Sequence, residues 1–169
     1  MPLAVFPNNA MNLHAIPIRK VVARLAVAAL CGLAGAPPAH AALGGTEASV
    51  FADQAQISAT LRTVASAKYT MHELQAPSGT VVREYVASTG TVFAVAWQGP
   101  SMPDLRQVLG AHFDEYVAAV AAARRTVRGP LSIQLPGLVV RSGGRMRAFA
   151  GKAYVPESLP PGVSADDLQ

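Results

Sequence analysis

Hydrophobic residues recur at helical spacing in two stretches of the chain, and the first is short. Val50, Ile57 and Leu61 fall on one stripe of a segment that contains neither glycine nor proline, which predicts an amphipathic helix. Either Thr46 or Ser49 offers a side-chain oxygen that can accept a hydrogen bond from a free N–H group at its start. We therefore expect a helix that begins near Thr46 and continues to about Leu61.

The second helical stretch is longer and covers residues 101–123. Ser101 can cap its first N–H groups, and Asp104 complements the positive end of the helix dipole. Three arginines (Arg124, Arg125 and Arg128) and the Gly129-Pro130 pair are typical of a helix end. One long helix is predicted here, and its apolar stripe consists of Leu105, Leu109, His112, Tyr116 and Val120.

Three consecutive segments have the composition of β-strands. Residues 69–75, 80–87 and 91–97 are rich in β-branched and aromatic side chains. Turn sequences containing proline or glycine separate them, at 76–79 and at 88–90. The third segment is apolar or small on both faces, so we expect it to be an interior strand of an antiparallel meander.

A second β region follows the long helix. Strands are predicted at 131–135, 138–141 and 145–154, with Ser142-Gly143-Gly144 as the turn of a hairpin. The tail from 156 to 169 is rich in proline and glycine, and we expect it to be extended and partly loose. The predicted fold class is α+β, with an antiparallel meander sheet packed against one long helix and a shorter N-terminal helix, and a C-terminal β-hairpin.

Residues 1–41 have the pattern of a cleavable secretion signal. A basic segment leads into twelve uncharged residues, 25–36, and small residues stand at the two recognition positions of Ala39-His40-Ala41. As a helix, the apolar run would be about 18 Å long, whereas a bilayer core is about 30 Å thick. We expect export to the periplasm or the medium and cleavage after Ala41, with translation starting at Met1 or Met11. A single domain is then predicted for 42–155.

Removal of that signal changes the charge and the thiol content of the protein. The full chain has a net charge of +4, but Arg19, Lys20 and Arg24 belong to the signal. The remaining eleven basic residues face ten acidic ones, which leaves a net charge of +1 and argues against nucleic acid as a partner. Cys31 is the only cysteine, and Leu30 before it does not fit a lipidation site. The exported domain would therefore have no thiol and no transmembrane anchor.

Catalytic and metal motifs are not recognisable in the sequence. Only His72 and His112 follow the signal, and their spacing matches no zinc pattern, so no metal, no cofactor and no catalytic residue is predicted. Nucleophile-elbow and phosphate-loop sequences are missing as well. The alternative that remains is a small exported hydrolase, in which His72 or His112 acts with a carboxylate such as Glu84 or Asp114.

Arg141, Arg145 and Arg147 are the candidate binding residues. They surround the predicted Ser142-Gly143-Gly144 turn, where guanidinium groups and backbone N–H groups could hold a phosphate or carboxylate. An anionic envelope component would fit such a site. The other interpretation is a solvated hairpin end whose charges maintain solubility.

Several segments together resemble a family of uncharacterised exported proteins of Gram-negative bacteria, the domain of unknown function 2844 family. The resemblance extends over essentially the whole chain after the signal and implies no activity or catalytic residue. The segments that carry it are Ala42-Leu43-Gly44-Gly45, Gly79-Thr80-Val81-Val82-Arg83-Glu84-Tyr85-Val86, Val92-Phe93-Ala94-Val95-Ala96-Trp97-Gln98-Gly99-Pro100, Pro103-Asp104-Leu105-Arg106 and Pro136-Gly137-Leu138-Val139-Val140-Arg141-Ser142-Gly143-Gly144.

These observations favour a non-enzymatic accessory protein of the periplasm or the medium, which binds an envelope component or a partner protein. The hydrolase is the alternative. A subunit of a larger secretion or fibre assembly is a third possibility, and it would require an exposed apolar patch on the sheet.

Overall fold

The computed structural model of the protein describes residues 43–123 and 130–169. The predicted signal and the arginines predicted to end the long helix lie outside these residues. Helices α1, α2 and α3 are Glu47–Gln56, Leu105–Leu109 and Phe113–Ala123, and short 3₁₀ turns are Gly110–His112, Pro156–Ser158 and Ala165–Asp167. Strands β1 to β7 are Thr60–Ala65, Tyr69–Gln75, Val81–Ala87, Val92–Gly99, Leu131–Leu135, Leu138–Arg145 and Ala148–Tyr154.

One seven-stranded sheet, with the order β1-β2-β3-β4-β7-β6-β5, forms the centre of the fold. All neighbouring strands are antiparallel, so the predicted α+β class is confirmed. The prediction that the third strand of the meander is interior is also confirmed, because β4 lies in the middle and Val92–Trp97 is buried throughout.

The sheet has two faces with different coverings. On the helix face, alternate side chains such as Val82, Val95 and Val140 form a core with residues of the helices. On the opposite face, which we call the tail face, Tyr85 and Phe93 pack with residues of the C-terminal tail. A β-bulge places an extra residue in β4, because Tyr85 pairs with Ala94 while Val86 pairs with Val92.

The first helix is shorter than predicted. α1 ends at Gln56, and Ser58 takes a positive φ of 51°, so the chain leaves the helix before Leu61. Leu61 instead lies in β1, Thr60–Ala65, at the edge of the sheet. Its β-branched residues, Thr60, Thr63 and Val64, favour a strand, and the prediction gave too much weight to the helical spacing of Leu61.

The long helix is interrupted, and its start is one turn later than predicted. Gly110, with a φ of 51°, ends α2, and a 3₁₀ turn leads into α3. Asp104 is the N-cap, because its carboxylate accepts a hydrogen bond of 2.9 Å from the Arg106 N–H group. Ser101, the predicted cap, instead bonds to Thr80.

The predicted hairpin turn at Ser142-Gly143-Gly144 is wrong. These residues lie inside β6, and Arg145 pairs with Ala148, so the turn consists of Met146 and Arg147. Arg147 has a positive φ of 66° there. Gly144 permits close packing instead, since a Cβ atom there would overlap the Ala148 carbonyl oxygen.

The tail is ordered by contacts with the sheet, so the prediction of a loose tail is wrong. Leu168 is 1% exposed, and the Tyr85 hydroxyl donates a hydrogen bond of 2.9 Å to the Gln169 carbonyl oxygen. Lys152 Nζ donates to the carbonyl oxygens of Ala165 and Leu168, at 2.5 and 3.2 Å. Within residues 43–123 and 130–169, no helix has the length and hydrophobicity to cross a bilayer.

Candidate functional site

A cleft of about 280 Å³ lies on the helix face of the sheet. β2 and β3 contribute Leu74, Val82 and Glu84, α1 contributes Asp53, and the C-cap of α1 is Ile57, which also lines the cleft. Its rim includes exposed residues of two loops, and most of its wall is apolar. The rim residues are Pro77, Ser78, Met102 and Asp104.

The loop that forms one side of the cleft is held by Thr80. The buried Thr80 hydroxyl donates a hydrogen bond of 2.9 Å to the Ser101 carbonyl oxygen and lies 2.8 Å from the Ser101 hydroxyl. Gly99 permits this contact, because a Cβ atom there would lie 2.5 Å from Thr80 Cα. The rim of the cleft is therefore built into the fold.

Two buried carboxyl groups belong to this cleft. Glu84 is 3% exposed and Asp53 is 4% exposed. Burial raises the pKa of Glu84 to about 8, and the nearby Asp53 carboxylate adds to the increase. No protein group within the described residues forms a hydrogen bond with Glu84 Oε2. Glu84 is therefore largely protonated at neutral pH, and its Oε2 is a buried oxygen without a hydrogen-bond partner among the described residues.

The ionisable side chains that line the cleft are all acidic among the described residues. Asp104 at the rim is a third acidic residue, and no lysine, arginine or histidine from the described parts of the chain lines the cleft. Such a set of acidic side chains attracts cations and hydrogen-bond donors and repels anions.

His72 lies beside the cleft and is part of a separate hydrogen-bonded chain. It is 1% exposed; its Nε2 lies 2.9 Å from Glu47 Oε1, and its Nδ1 lies 3.0 Å from Thr63 Oγ1. The ring of Phe51 contacts the imidazole edge-on, with 5.9 Å between centroids. His72 thus links the start of α1 to the edge strand β1.

The structure brings together two residues of the hydrolase hypothesis. His72 and Glu84 are cross-strand partners on the helix face. His112 lies near Gly44, where a Cβ atom would be 3.9 Å from its Nε2, and the Asp114 carboxylate is exposed. In the parts of the chain that the structure describes, no cluster of three His, Cys, Asp or Glu residues could hold a metal ion.

The three predicted arginines do not surround one turn. Arg141 and Arg145 lie four residues apart in β6, on the tail face, and Arg147 lies in the following turn. Arg141 faces Lys152 on β7 and lines a second groove of about 450 Å³. None of the three forms an ion pair with a carboxylate among residues 43–123 and 130–169. We call these arginines the basic strip; as a binding site it remains a prediction.

Sequence analysis missed Asp53, although a signal was present. Asp53 stands three residues after Val50 and four before Ile57, so it occupies a position of the apolar stripe of α1. A carboxylate on the buried side of a helix indicates a function or a partner. Glu47 and Thr63, which are half-buried and exposed in the structure, carried no comparable signal in the sequence.

A comparison with protein families matches residues 39–168 to a family described as proteins of unknown function, DUF2844. The chain belongs to this family. The match includes all the elements of the sheet and both sides of the cleft. No curated protein and no solved structure matches the chain. The family membership confirms the resemblance seen in the sequence, and it brings no activity to the cleft or to the basic strip.

Proposed function

We propose that this member of the DUF2844 family is an exported, non-enzymatic binding protein, and that its helix-face cleft holds a small molecule. The ligand has an apolar body and one polar group. The observation that carries this proposal is a largely apolar cleft with the buried, partly unpaired Glu84 carboxyl group in it. Ligand sites combine these two features: apolar walls supply affinity, and a few polar groups fix orientation.

The part of the proposal that concerns export is supported by the sequence of residues 1–41. The basic segment, the short apolar run and the small residues at 39 and 41 are typical of a cleavable signal. N-terminal sequencing of the protein from its native host tests this. A mature chain that begins at Ala42 is expected, and a chain that begins upstream of Pro37 would contradict export by cleavage.

Binding to the cleft can be tested with hexanol and with a variant that fills the space. Gln107 lines the cleft from α2, so Gln107→Trp should narrow it and weaken hexanol binding at least tenfold in an NMR titration. Gln134→Trp is the matched control, because Gln134 is exposed on β5 and does not line the cleft. Equal affinity of the two variants, or no binding to the unaltered protein, would overturn the proposal.

A second candidate function is attachment to an anionic envelope component through the basic strip. The observation that favours it is the absence of ion pairs for Arg141, Arg145 and Arg147 within the described residues, since unpaired guanidinium groups can bind phosphate bidentately. The test is binding to vesicles that contain an anionic phospholipid, with vesicles of neutral lipid as the control. Equal binding to both vesicles would contradict it.

The hydrolase alternative is favoured by one arrangement, the chain of hydroxyl, imidazole and carboxylate formed by Thr63, His72 and Glu47. An imidazole between a hydroxyl and a carboxylate is the arrangement that activates nucleophiles. Its test is hydrolysis of a short-chain ester by the unaltered protein and by Thr63→Val. Activity that Thr63→Val abolishes would support the hydrolase over the binding protein.

A further inference from the structure

We propose that the cleft selects a ligand whose polar group is a protonated aliphatic amine, with Glu84 and Asp53 as the residues that recognise it. This inference rests on the proposed function of the cleft and deepens it by naming the chemical class of the ligand.

The first argument is charge. The described lining residues include three acidic side chains, Asp53, Glu84 and Asp104, and no basic one. A carboxylate or phosphate ligand would have to approach these groups without a compensating cation. An ammonium group, in contrast, is attracted to the rim by Asp104 and to the interior by Asp53, beside the protonated Glu84.

The second argument is the unpaired oxygen of Glu84. A buried polar atom without a hydrogen-bond partner costs free energy, and Glu84 Oε2 has none from the described residues although Glu84 is 3% exposed. An ammonium group has three N–H donors and no acceptor. It can donate to Glu84 Oε2 and to a second carboxylate together.

The third argument is the nature of the other walls. Leu74, Val82, Ile57 and Val108 provide an apolar surface beside the acidic pair. Ligand pockets usually have volumes from about 300 Å³ upwards. The cleft, at about 280 Å³, lies close to the lower end of this range and therefore suits a short ligand. A short alkyl chain that ends in an amine matches both the walls and the acidic pair.

Binding of an amine is coupled to the release of a proton from Glu84. The charged or titratable groups that face Glu84 are Asp53 on α1, His72 on β2 with its partner Glu47, and Asp104 at the start of α2; its partner Val95 on β4 has no charge. When an ammonium group binds, the neutral Glu84 carboxylic acid releases its proton to water and becomes the carboxylate that pairs with the ligand. Atoms and charge balance, because one cation enters the cleft and one proton leaves it.

Three ligands of equal chain length test the inference: hexylamine, hexanol and hexanoate. We expect hexylamine to bind at least tenfold more tightly than hexanol, and hexanoate to bind more weakly than both. Because Glu84 must lose its proton, the affinity for hexylamine should rise between about pH 6 and pH 8, whereas that for hexanol should not.

Two variants complete the experiment. Glu84→Gln should abolish the preference for the amine and retain hexanol binding, while Glu115→Gln, on the exposed side of α3, should change neither. Equal binding of hexylamine and hexanol by the unaltered protein would overturn the inference and leave the proposed function intact. If neither ligand binds, both are wrong.

Discussion

The charged residues on the two faces of β3 differ in their burial and in their partners. On the tail face, Arg83 donates a hydrogen bond of 2.8 Å to Glu73 on the neighbouring strand, and both side chains are partly exposed. On the helix face, Glu84 is buried, and the Asp53 carboxylate contributes to the raised pKa of its carboxyl group. The first arrangement pairs opposite charges, while the second places two acidic groups together, and one of them keeps its proton at neutral pH.

This difference distinguishes a charged pair that stabilises the fold from a buried acid that the fold does not require. The Arg83–Glu73 pair is satisfied by neighbouring side chains, as expected of a group that serves the fold. The buried Glu84 is expensive to ionise, and a fold gains nothing from it that an apolar residue would not provide. The buried acid beside the cleft is therefore the observation in the described part of the molecule that most favours the proposed ligand site.

The largest predicted effect concerns the pH dependence of stability. Glu84 has a pKa of about 8 in the folded protein and an ordinary value of 4.5 when unfolded, so the folded state binds its proton more tightly. Its contribution is fully present below about pH 4.5 and is lost as the pH rises through about 8. The free energy of unfolding should therefore fall by on the order of 4 kcal/mol across this window.

Urea unfolding at a series of pH values, with Glu84→Gln as the comparison, measures this effect. The variant should lack the decrease, because a glutamine does not titrate, and Glu115→Gln should retain it. A decrease of the same size in Glu84→Gln would show that another group is responsible.

The next largest effect is on the tail face. Leu168 is buried against the sheet, and Leu168→Ala should lower the free energy of unfolding by about 3 kcal/mol, a typical cost of removing a buried leucine side chain. Val117→Ala, at a position that is 46% exposed, is the control and should change it little. A loss of less than about 1 kcal/mol at Leu168 would mean that the tail detaches from the sheet.

These packed elements also show which parts of the fold the sequence reveals. The strand predicted at 69–75 has the observed bounds, and the turn sequence at 76–79 defines its end locally. The edge strand β1 was missed because the helical spacing of Leu61 outweighed the β-branched residues of the segment, and its pairing with β2 is a contact that the local pattern does not show. The tail was predicted to be loose because the contact between Tyr85 and Gln169 joins residues far apart in the sequence.

The candidate site was less predictable than the fold. Glu84 and His72 were identified by residue type, but their cross-strand pairing depends on the register of β2 and β3. The association of Asp53 with Glu84 additionally depends on where α1 crosses the sheet. Sequence spacing has no information about that packing, whereas the basic strip could be recognised because its arginines are close together in the chain.

A smaller effect is predicted for His72, on the helix face beside the cleft. His72→Asn should lower the free energy of unfolding by about 2 kcal/mol, because its two hydrogen bonds and its contact with Phe51 are lost. The loss is limited since Thr63 and Glu47 are accessible to water. Thermal unfolding measures it, and hexanol binding, which does not involve His72, should be unchanged. Loss of hexanol binding in a folded His72→Asn protein would place the imidazole in the site.

The smallest effect on stability is expected at the basic strip. The same variants test whether charged residues of the tail face bind a ligand. Arg145 and Arg147 are exposed and form no ion pair within the described residues, so replacing both with alanine should change the free energy of unfolding by less than about 0.5 kcal/mol. Binding to anionic vesicles should nevertheless fall several-fold, and hexylamine binding should not change. If the double variant binds such vesicles as well as the unaltered protein does, the arginines serve solubility and the second candidate function is wrong.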